Sequence, residues 1–562
     1  MMSDKQNYTI HREEGGGFRR QTIFLLFLCV FAFFVGNGQL PFKTDIMEAR
    51  NIVTAREMIH DNNWMIPTMN GELRLEKPPL PTWIAALIEA VSPENLPAQR
   101  AAAGVMAVIF TLFLYLTARY MTWRKDYALL AAIVFVTCQT VVFMSRFAAW
   151  DIYCHAFMMG GIYFLLRLFF DERYYGRSRK WTWASLAGLM MGLAFLSKGP
   201  IPFYAMLLPF LIAQMWVERP KMKGKWVALA FSVILCLAIS SFWYLWLYEF
   251  HPETLQAVMN KEADAWTERH VHPWHFYTMF VLQTSGWCLF VVAAFAVSYC
   301  KRYVAVPKAY KIAFIWMVTT LVLLSCFPEK KTRYLLPMMA PCALTIAHVV
   351  LYFFDNHSWT KPANWLYKTH TWILMLAYAV LPVFFHTKLY QRDYISLPLT
   401  ITFDGIAVAA AVWLFFLYRK KNVGKVIALT AFLSLLVGLY MISSLRESKK
   451  GDPVNTIYGV NQVKELQGMQ LYYNTGDSIA IQLVYIANQK ILPVDLCDSA
   501  DVAAKLPFAL VSSRSAAEQI PSELLTSIDT VKVDVYDDNR VAPTHRAFRD
   551  EFRKQVTILK RK

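Results

Sequence analysis

Five short stretches carry the residues whose types and spacing could do chemistry. Thr44-Asp45-Ile46-Met47-Glu48-Ala49-Arg50 holds two carboxylates three residues apart, a spacing that places both on one face of a helix. Paired acids suit proton transfer to or from a hydroxyl. The same pattern is also a capping box, with Asp45 as N-cap and Glu48 as the third helical residue. On this stretch alone the two readings stand level. Leu75-Glu76-Lys77-Pro78-Pro79 sets an acid and a base before prolines whose fixed φ aims them. Lys77 there is a candidate phosphate contact, or a lysine snorkelling at an interface. Asp151 follows Arg146-Phe147-Ala148-Ala149-Trp150 and precedes an apolar run, where ionisable groups are costly and usually functional. Its plainer role would be a salt bridge to Arg146. Lys198, in Ser197-Lys198-Gly199, and the run Glu329-Lys330-Lys331-Thr332-Arg333-Tyr334 complete the set.

The histidines of His270-Val271-His272-Pro273-Trp274-His275 invite a metal. His272 and His275 have ligand spacing, but a proline lies between them and no nearby cysteine completes a site. Interfacial His with Trp is the commoner arrangement, so no metal is assigned. The sequence by itself names no cofactor.

The elements that must hold these groups are membrane helices. Hydrophobic residues make up 56% of the 562 and charged residues only 17%, against about a quarter in an average soluble domain. A soluble chain of this length could not cover its surface with so few charges, and disorder is excluded too. Thirteen runs of roughly the 20 residues a spanning helix needs lie between about 21 and 444. The pair at 182–197 and 199–217 is interrupted by Lys198-Gly199-Pro200. The net charge of +17 could suggest nucleic acid, but from Gly451 onward 13 basic residues face 14 acidic ones. The basic excess therefore sits in short loops between apolar runs, as topology signals do.

Arg19-Arg20, Arg124-Lys125, Arg177/Arg179/Lys180, Lys221/Lys223/Lys225, Lys301-Arg302 and Arg419-Lys420-Lys421 occupy alternate loops. The positive-inside rule puts them, with the N-terminus, in the cytoplasm. An odd number of crossings then puts the C-terminal region outside. The opposite set includes two long loops, 41–98 and 249–274, of a length that is usually functional. Lys77, Lys198, Lys331 and Arg333 on that side run against the topology rule, and anion binding is the simplest reason for them. The first apolar run reads as a retained helix rather than a cleaved signal. The nine cysteines show no zinc-finger or redox spacing and read as small apolar residues.

Past about residue 450, short apolar strands (470–473, 491–496, 508–512, 531–536) alternate with helical patterns (478–488, 499–505, 516–525). That alternation predicts a soluble α/β domain of about 110 residues. The expected organisation is a polytopic α-helical membrane domain, 1–446, with about 13 transmembrane helices, followed by an extracytoplasmic α/β domain, 447–562.

The stretch 45–79, with Ala55-Arg56-Glu57-Met58, Trp64-x-x-Pro67, Asn70-Gly71 and Glu76-Lys77-Pro78-Pro79, resembles the first periplasmic loop of the bacterial lipid A aminoarabinose transferases. Those are related to the protein O-mannosyltransferases, and both have the GT-C membrane glycosyltransferase fold. Asp151, Ser197-Lys198-Gly199 and Lys331-Thr332-Arg333-Tyr334-Leu335-Leu336-Pro337 follow in that family's order. The likeness covers roughly residues 20–350. Counted back from Ala55, the family's adjacent Asp-Glu pair falls on Met47-Glu48, whereas the aspartate here is Asp45. The family's loop histidine, implicated in metal binding, would fall near Glu262-Ala263 and is missing, so that metal is not carried over.

The resemblance implies an inverting transferase of the cytoplasmic (inner) membrane, taking sugar from a polyprenyl-phosphate donor at the periplasmic face. The acceptor would be lipid A, another glycan or a protein. Asp45, Glu48 and Asp151 are the candidate catalytic acids. Arg50, Glu76, Lys77, Lys198, Lys331, Arg333 and Tyr334 are the candidate substrate contacts. The rival class is a transporter or flippase of lipid-linked sugars, which predicts repeat symmetry and broken helices near the midplane. The sequence displays neither.

Overall fold

The computed structural model describes residues 15–35, 44–175, 179–268, 270–356, 358–391, 396–444, 455–539, 543–544 and 548–562. The expected boundary at 446/447 lies outside them, as does Arg177. Among the described residues seven helices are long and apolar enough to cross a membrane. A pair bent by 100°, Trp274–Gln283 with Ser285–Ala294, makes an eighth if counted as one span. Several of the remaining apolar runs are helical but short or divided, among them Arg20–Phe34, Phe203–Val217 and Val423–Gly438. The run at 126–145 is split at Cys138 into Lys125–Thr137 and Gln139–Met144. The bent pair is a broken helix that the sequence pattern did not disclose.

Burial sorts the spans. Helix α7 (Trp150–Tyr175) and the segment Thr332–Asp355 are almost wholly enclosed by protein. Helix α10 (Trp226–Phe250) and Leu397–Arg419 are mostly uncovered, with apolar side chains all round, as lipid-facing helices require. The two enclosed elements carry Asp151 and Arg333 at their ends.

The first long loop is built rather than irregular. Helix α2 (Ile46–His60) begins at Asp45, whose carboxylate accepts from the Met47 amide at 2.8 Å while Glu48 reaches back to the Asp45 amide at 3.3 Å. The capping box is therefore complete. Strands β1 (Thr68–Met69) and β2 (Glu72–Leu73) form a small hairpin. Its tip, Asn70-Gly71, is left-handed at both residues (φ +56° and +81°), the preference of Asn-Gly in tight hairpins. Helix α3 (Leu80–Val91) starts straight after Pro78-Pro79, and α4 (Leu96–Thr122) follows.

The C-terminal domain holds five strands: β3 (Leu471–Asn474), β4 (Ile491–Val494), β5 (Phe508–Ser512), β6 (Ile528–Asp537) and β7 (Arg553–Arg561). Their order is β4-β3-β5-β7-β6, parallel among the first three and antiparallel beyond. The four strands read from sequence are present. The last strand, with its basic ends, was not foreseen. The expected helix at 516–525 is two short ones, Ala516–Gln519 and Ser522–Leu525, divided at Pro521, where the ring removes a backbone donor.

Candidate functional site

Three elements bring the acids and bases to one place. Helix α7 opens with Asp151, where a carboxylate is favoured by the helix dipole. Helix α8 (Lys180–Lys198) ends on Lys198, and Gly199 breaks it with φ +71°. Lys198 and Asp151 form a close buried ion pair. The plainer reading of Asp151 would pair it with Arg146. That arginine is instead buried among carbonyls, donating to Val142 O at 2.8 Å and Val35 O at 3.0 Å.

The third element is the turn Phe327–Leu335. Lys331 bridges to Glu329 at 2.5 Å. Its neighbour Lys330 points the other way, buried and capping the carbonyls of Phe327 (2.6 Å) and His272 (3.1 Å). One lysine pegs the turn, and the other faces the site. The Tyr334 ring lies among three cations, with Lys198 Nζ at 4.9 Å, Lys331 Nζ at 5.7 Å and Arg333 Cζ at 5.8 Å from its centroid. Contacts in this range are attractive through the ring quadrupole, and they hold like charges close together. Burial, reinforced by the Arg333 and Lys198 charges, pushes the Lys331 ammonium below its ordinary value despite Glu329. Arg333 lies within the field of both Asp151 and Asp45, and its buried Nε has no acceptor.

Asp45 and Glu48 part company here. Glu48 is fully buried. Its oxygens accept from Arg100 Nε (2.9 Å) and Nη2 (2.8 Å), from the Ala148 amide (3.1 Å) and from the Asp45 amide. Asp45 is half-buried and keeps its carboxyl toward the basic groups. Burial raises its pKa above the usual carboxylate range, and Glu48 adds to that, while the Met47 amide, Arg333 and Arg50 pull it back. Arg50, one turn along α2, has a buried Nε without an acceptor. Glu76 and Lys77 are half-buried just ahead of α3, and Leu75 packs with Leu196 and Trp243 beside the end of α8.

The residues that sequence reasoning missed are Arg100 and Glu329. Arg100 is 52 residues from Glu48, so no local spacing could pair them. Glu329 stood in the quoted run, but nothing in the run said which lysine it meets. The histidines go elsewhere: His272 stacks on Phe276 at 4.5 Å, and residues 270–272 are stitched to 328–330 by backbone hydrogen bonds. Among the described residues no three His, Cys, Asp or Glu side chains converge in a way that could hold a metal ion.

A family model described as dolichyl-phosphate-mannose-protein mannosyltransferase matches residues 44–256. The undecaprenyl phosphate-alpha-4-amino-4-deoxy-L-arabinose arabinosyl transferase of Shewanella sediminis is 26% identical over 331 residues, 55% of this chain and 56% of that one. Its counterpart in Pseudomonas savastanoi is 27% identical over 319 residues, 54% and 56% of the two chains. The alignments thus span little more than half the length of these relatives. The crystal structure of ArnT from Cupriavidus metallidurans bound to undecaprenyl phosphate superposes with a TM-score of 0.68 at 16% identity, covering 97% of this chain and 98% of that one. Its apo state gives 0.64.

The fold is of the GT-C type, a polytopic helical domain carrying a small α/β domain. Within that class the chain resembles the lipid A aminoarabinose transferases, with the protein O-mannosyltransferases as the wider kin. It is a multi-pass inner-membrane protein.

Proposed function

We propose that this chain transfers a sugar from a polyprenyl-phosphate donor to an acceptor at the outer face of the cytoplasmic membrane. The observation that carries the reading is the cluster at the outer ends of α7, α8 and the 327–335 turn. Lys198, Lys331 and Arg333 surround Tyr334, with Asp151 and Asp45 in the field of Arg333. The relatives act on undecaprenyl-phosphate-linked aminoarabinose by name, and such a donor would bring its phosphate to this depth.

The geometry suits a single inverting displacement. The acceptor oxygen attacks the anomeric carbon as its bond to the phosphate oxygen breaks. The electron pair leaves on the polyprenyl phosphate. Arg333, Lys198, Lys331, Lys77 and Arg50 meet the growing negative charge, the arginines with the fork geometry that suits phosphate. Asp45 takes the acceptor's proton. Glu48, already saturated by four donors, holds Asp45 in place, and Asp151 keeps Lys198 aimed. Glu76 and Tyr334 line the donor's path. An acceptor that is itself an ionised phosphate needs no base, and Asp45 then orients it.

The C-terminal domain packs on α2 and the hairpin, so it shares a side with the site. Alternating basic loops support a periplasmic location for that side. The bent pair is a feature of transporters, but its corner is closed by hydroxyl and thiol side chains, which fits a structural turn. Mass spectrometry of lipid A and of exported glycoproteins from a deletion strain tests the reading. Unchanged glycans in both, with altered export of a lipid-linked sugar, would favour a flippase instead.

A further inference from the structure

We infer that the C-terminal domain is part of the scaffold of the reaction site, and that Asn70 is the positioning residue that clasps it to helix α2. The inference rests on the transferase reading, since it is Asp45 that the clasp would position.

Helix α2 serves two masters. Its first turn carries Asp45 and Glu48. From Ala49 on, its other face belongs to the C-terminal domain: Ala49 and Val53 lie in one apolar cluster with Ile457, Leu483, Val484 and Ile491. Ala49 is a single turn from Asp45, so this cluster holds the very turn that presents the acid. Arg56 donates to the Tyr485 carbonyl at 2.9 Å, its guanidinium 4.7 Å from the ring centroid, and pairs with Glu89 of α3 at 2.8 Å.

The hairpin completes the joint. Glu57 accepts from Thr68 Oγ1 (2.6 Å) and from the amides of Asn70 (2.5 Å) and Gly71 (3.2 Å), folding the hairpin back on α2. The Asn70 side chain donates to Ile491 O at 2.6 Å and accepts from Ile491 N at 2.8 Å. Strand β4 is an edge strand, and these two groups are ones an edge leaves open. Asn70 thus acts as a one-residue extra strand. Leu492 Cδ2 lies 2.9 Å from where a Cβ on Gly71 would stand, so the tip is seated against the domain and a side chain there would have to push Leu492 aside. Arg56, Glu57, Asn70 and Gly71 belong to the motifs that resemble the family loop, yet in this structure Arg56, Asn70 and Gly71 meet the domain while Glu57 holds the hairpin on α2.

Angström-scale displacement of a reacting group costs on the order of 10²-fold in rate. Asn70→Ala in the full chain should therefore lower kcat about tenfold or more and speed amide hydrogen exchange across Ile46–His60. Rescue separates positioning from misfolding. Asp61 and Lys490 face each other at the rim of the same joint. Asp61→Cys with Lys490→Cys, in a chain whose exposed Cys326 and Cys497 are serines, can be bridged by a short bismaleimide. Bridging should restore both kcat and slow exchange to Asn70→Ala. Accelerated exchange with kcat unchanged overturns the positioning role. Unaccelerated exchange overturns the clasp whatever the activity. A wild-type chain that transfers no sugar sinks the transferase reading alone, and the exchange data still decide whether Asn70 holds α2.

Discussion

Two buried carboxylates, one at each flank of the site, meet a cation in different ways. Glu48 has both oxygens committed, to a bidentate arginine and two backbone amides. Asp151 has a single lysine, and the second cation in its field, Arg333, keeps a buried Nε without an acceptor. A saturated pair has nothing left to offer a substrate and can only hold shape. An unsaturated one leaves room for an incoming anion to finish the hydrogen bonding. The same contrast separates Lys330, spent on two carbonyls, from Lys331 beside it.

Breaking the saturated side should cost most, and in stability. Arg100→Met leaves Glu48 buried without its counter-charge, a change worth about 3–5 kcal/mol. The purified variant should show a much lower midpoint of thermal unfolding in detergent. A wild-type midpoint would mean that the joint is dispensable.

Next comes Asp45→Asn. Asparagine caps a helix about as well as aspartate but cannot accept the proton, so folding should survive while turnover falls by about 10²-fold. Burial holds the Asp45 pKa above the ordinary carboxylate range. Because the base works ionised, kcat/KM should decline as pH falls through that raised value, earlier on the descent than for a solvated aspartate. Asp45→Asn should erase this limb. Were Asp151→Asn inactive and Asp45→Asn active, the base would lie on α7.

Lys77→Ala should be milder, about tenfold in transfer, or roughly 1.4 kcal/mol, with normal expression. Near-wild-type transfer would remove Lys77 from the donor site. Smallest of all should be Lys490→Ala, which breaks an exposed pair with Asp61. Such pairs contribute about 0–1 kcal/mol, so both the midpoint and kcat should stay within error of wild type.

Local signals were legible in the sequence and long-range ones were not. The capping box at Asp45 and the strand at Phe508–Ser512 depend on residues a few positions apart, and each stands where its pattern predicts it. The pairing of Glu48 with Arg100 does not, because nothing in either neighbourhood specifies a partner 52 residues away. The plainer reading of Asp151, a salt bridge to Arg146, failed for a related reason. Proximity in sequence suggested a pair, but the turn at 145–149 sends Arg146 back among carbonyls, while Lys198 arrives from the end of another helix. Hydropathy sees apolar length and not the breaks at Cys138 or Thr284, so the pattern gives the runs but not how each is divided. Strand β7 was missed because its Arg and Lys ends mask the apolar alternation between them.

The corner at Thr284 bears on how the chain is assembled. Where Trp274–Gln283 gives way to Ser285–Ala294, the Gly286 amide is met by Ser434 Oγ at 3.1 Å, and Trp287 Nε1 by Thr137 Oγ1 at 2.8 Å. Ser434 is 148 residues downstream. During synthesis the corner therefore enters the bilayer before its closing partner has left the ribosome, carrying an amide that hydrocarbon cannot satisfy. That amide gains this partner only once the helix Val423–Ser444 is made, so a corner in the middle of the chain is completed by a helix that follows it.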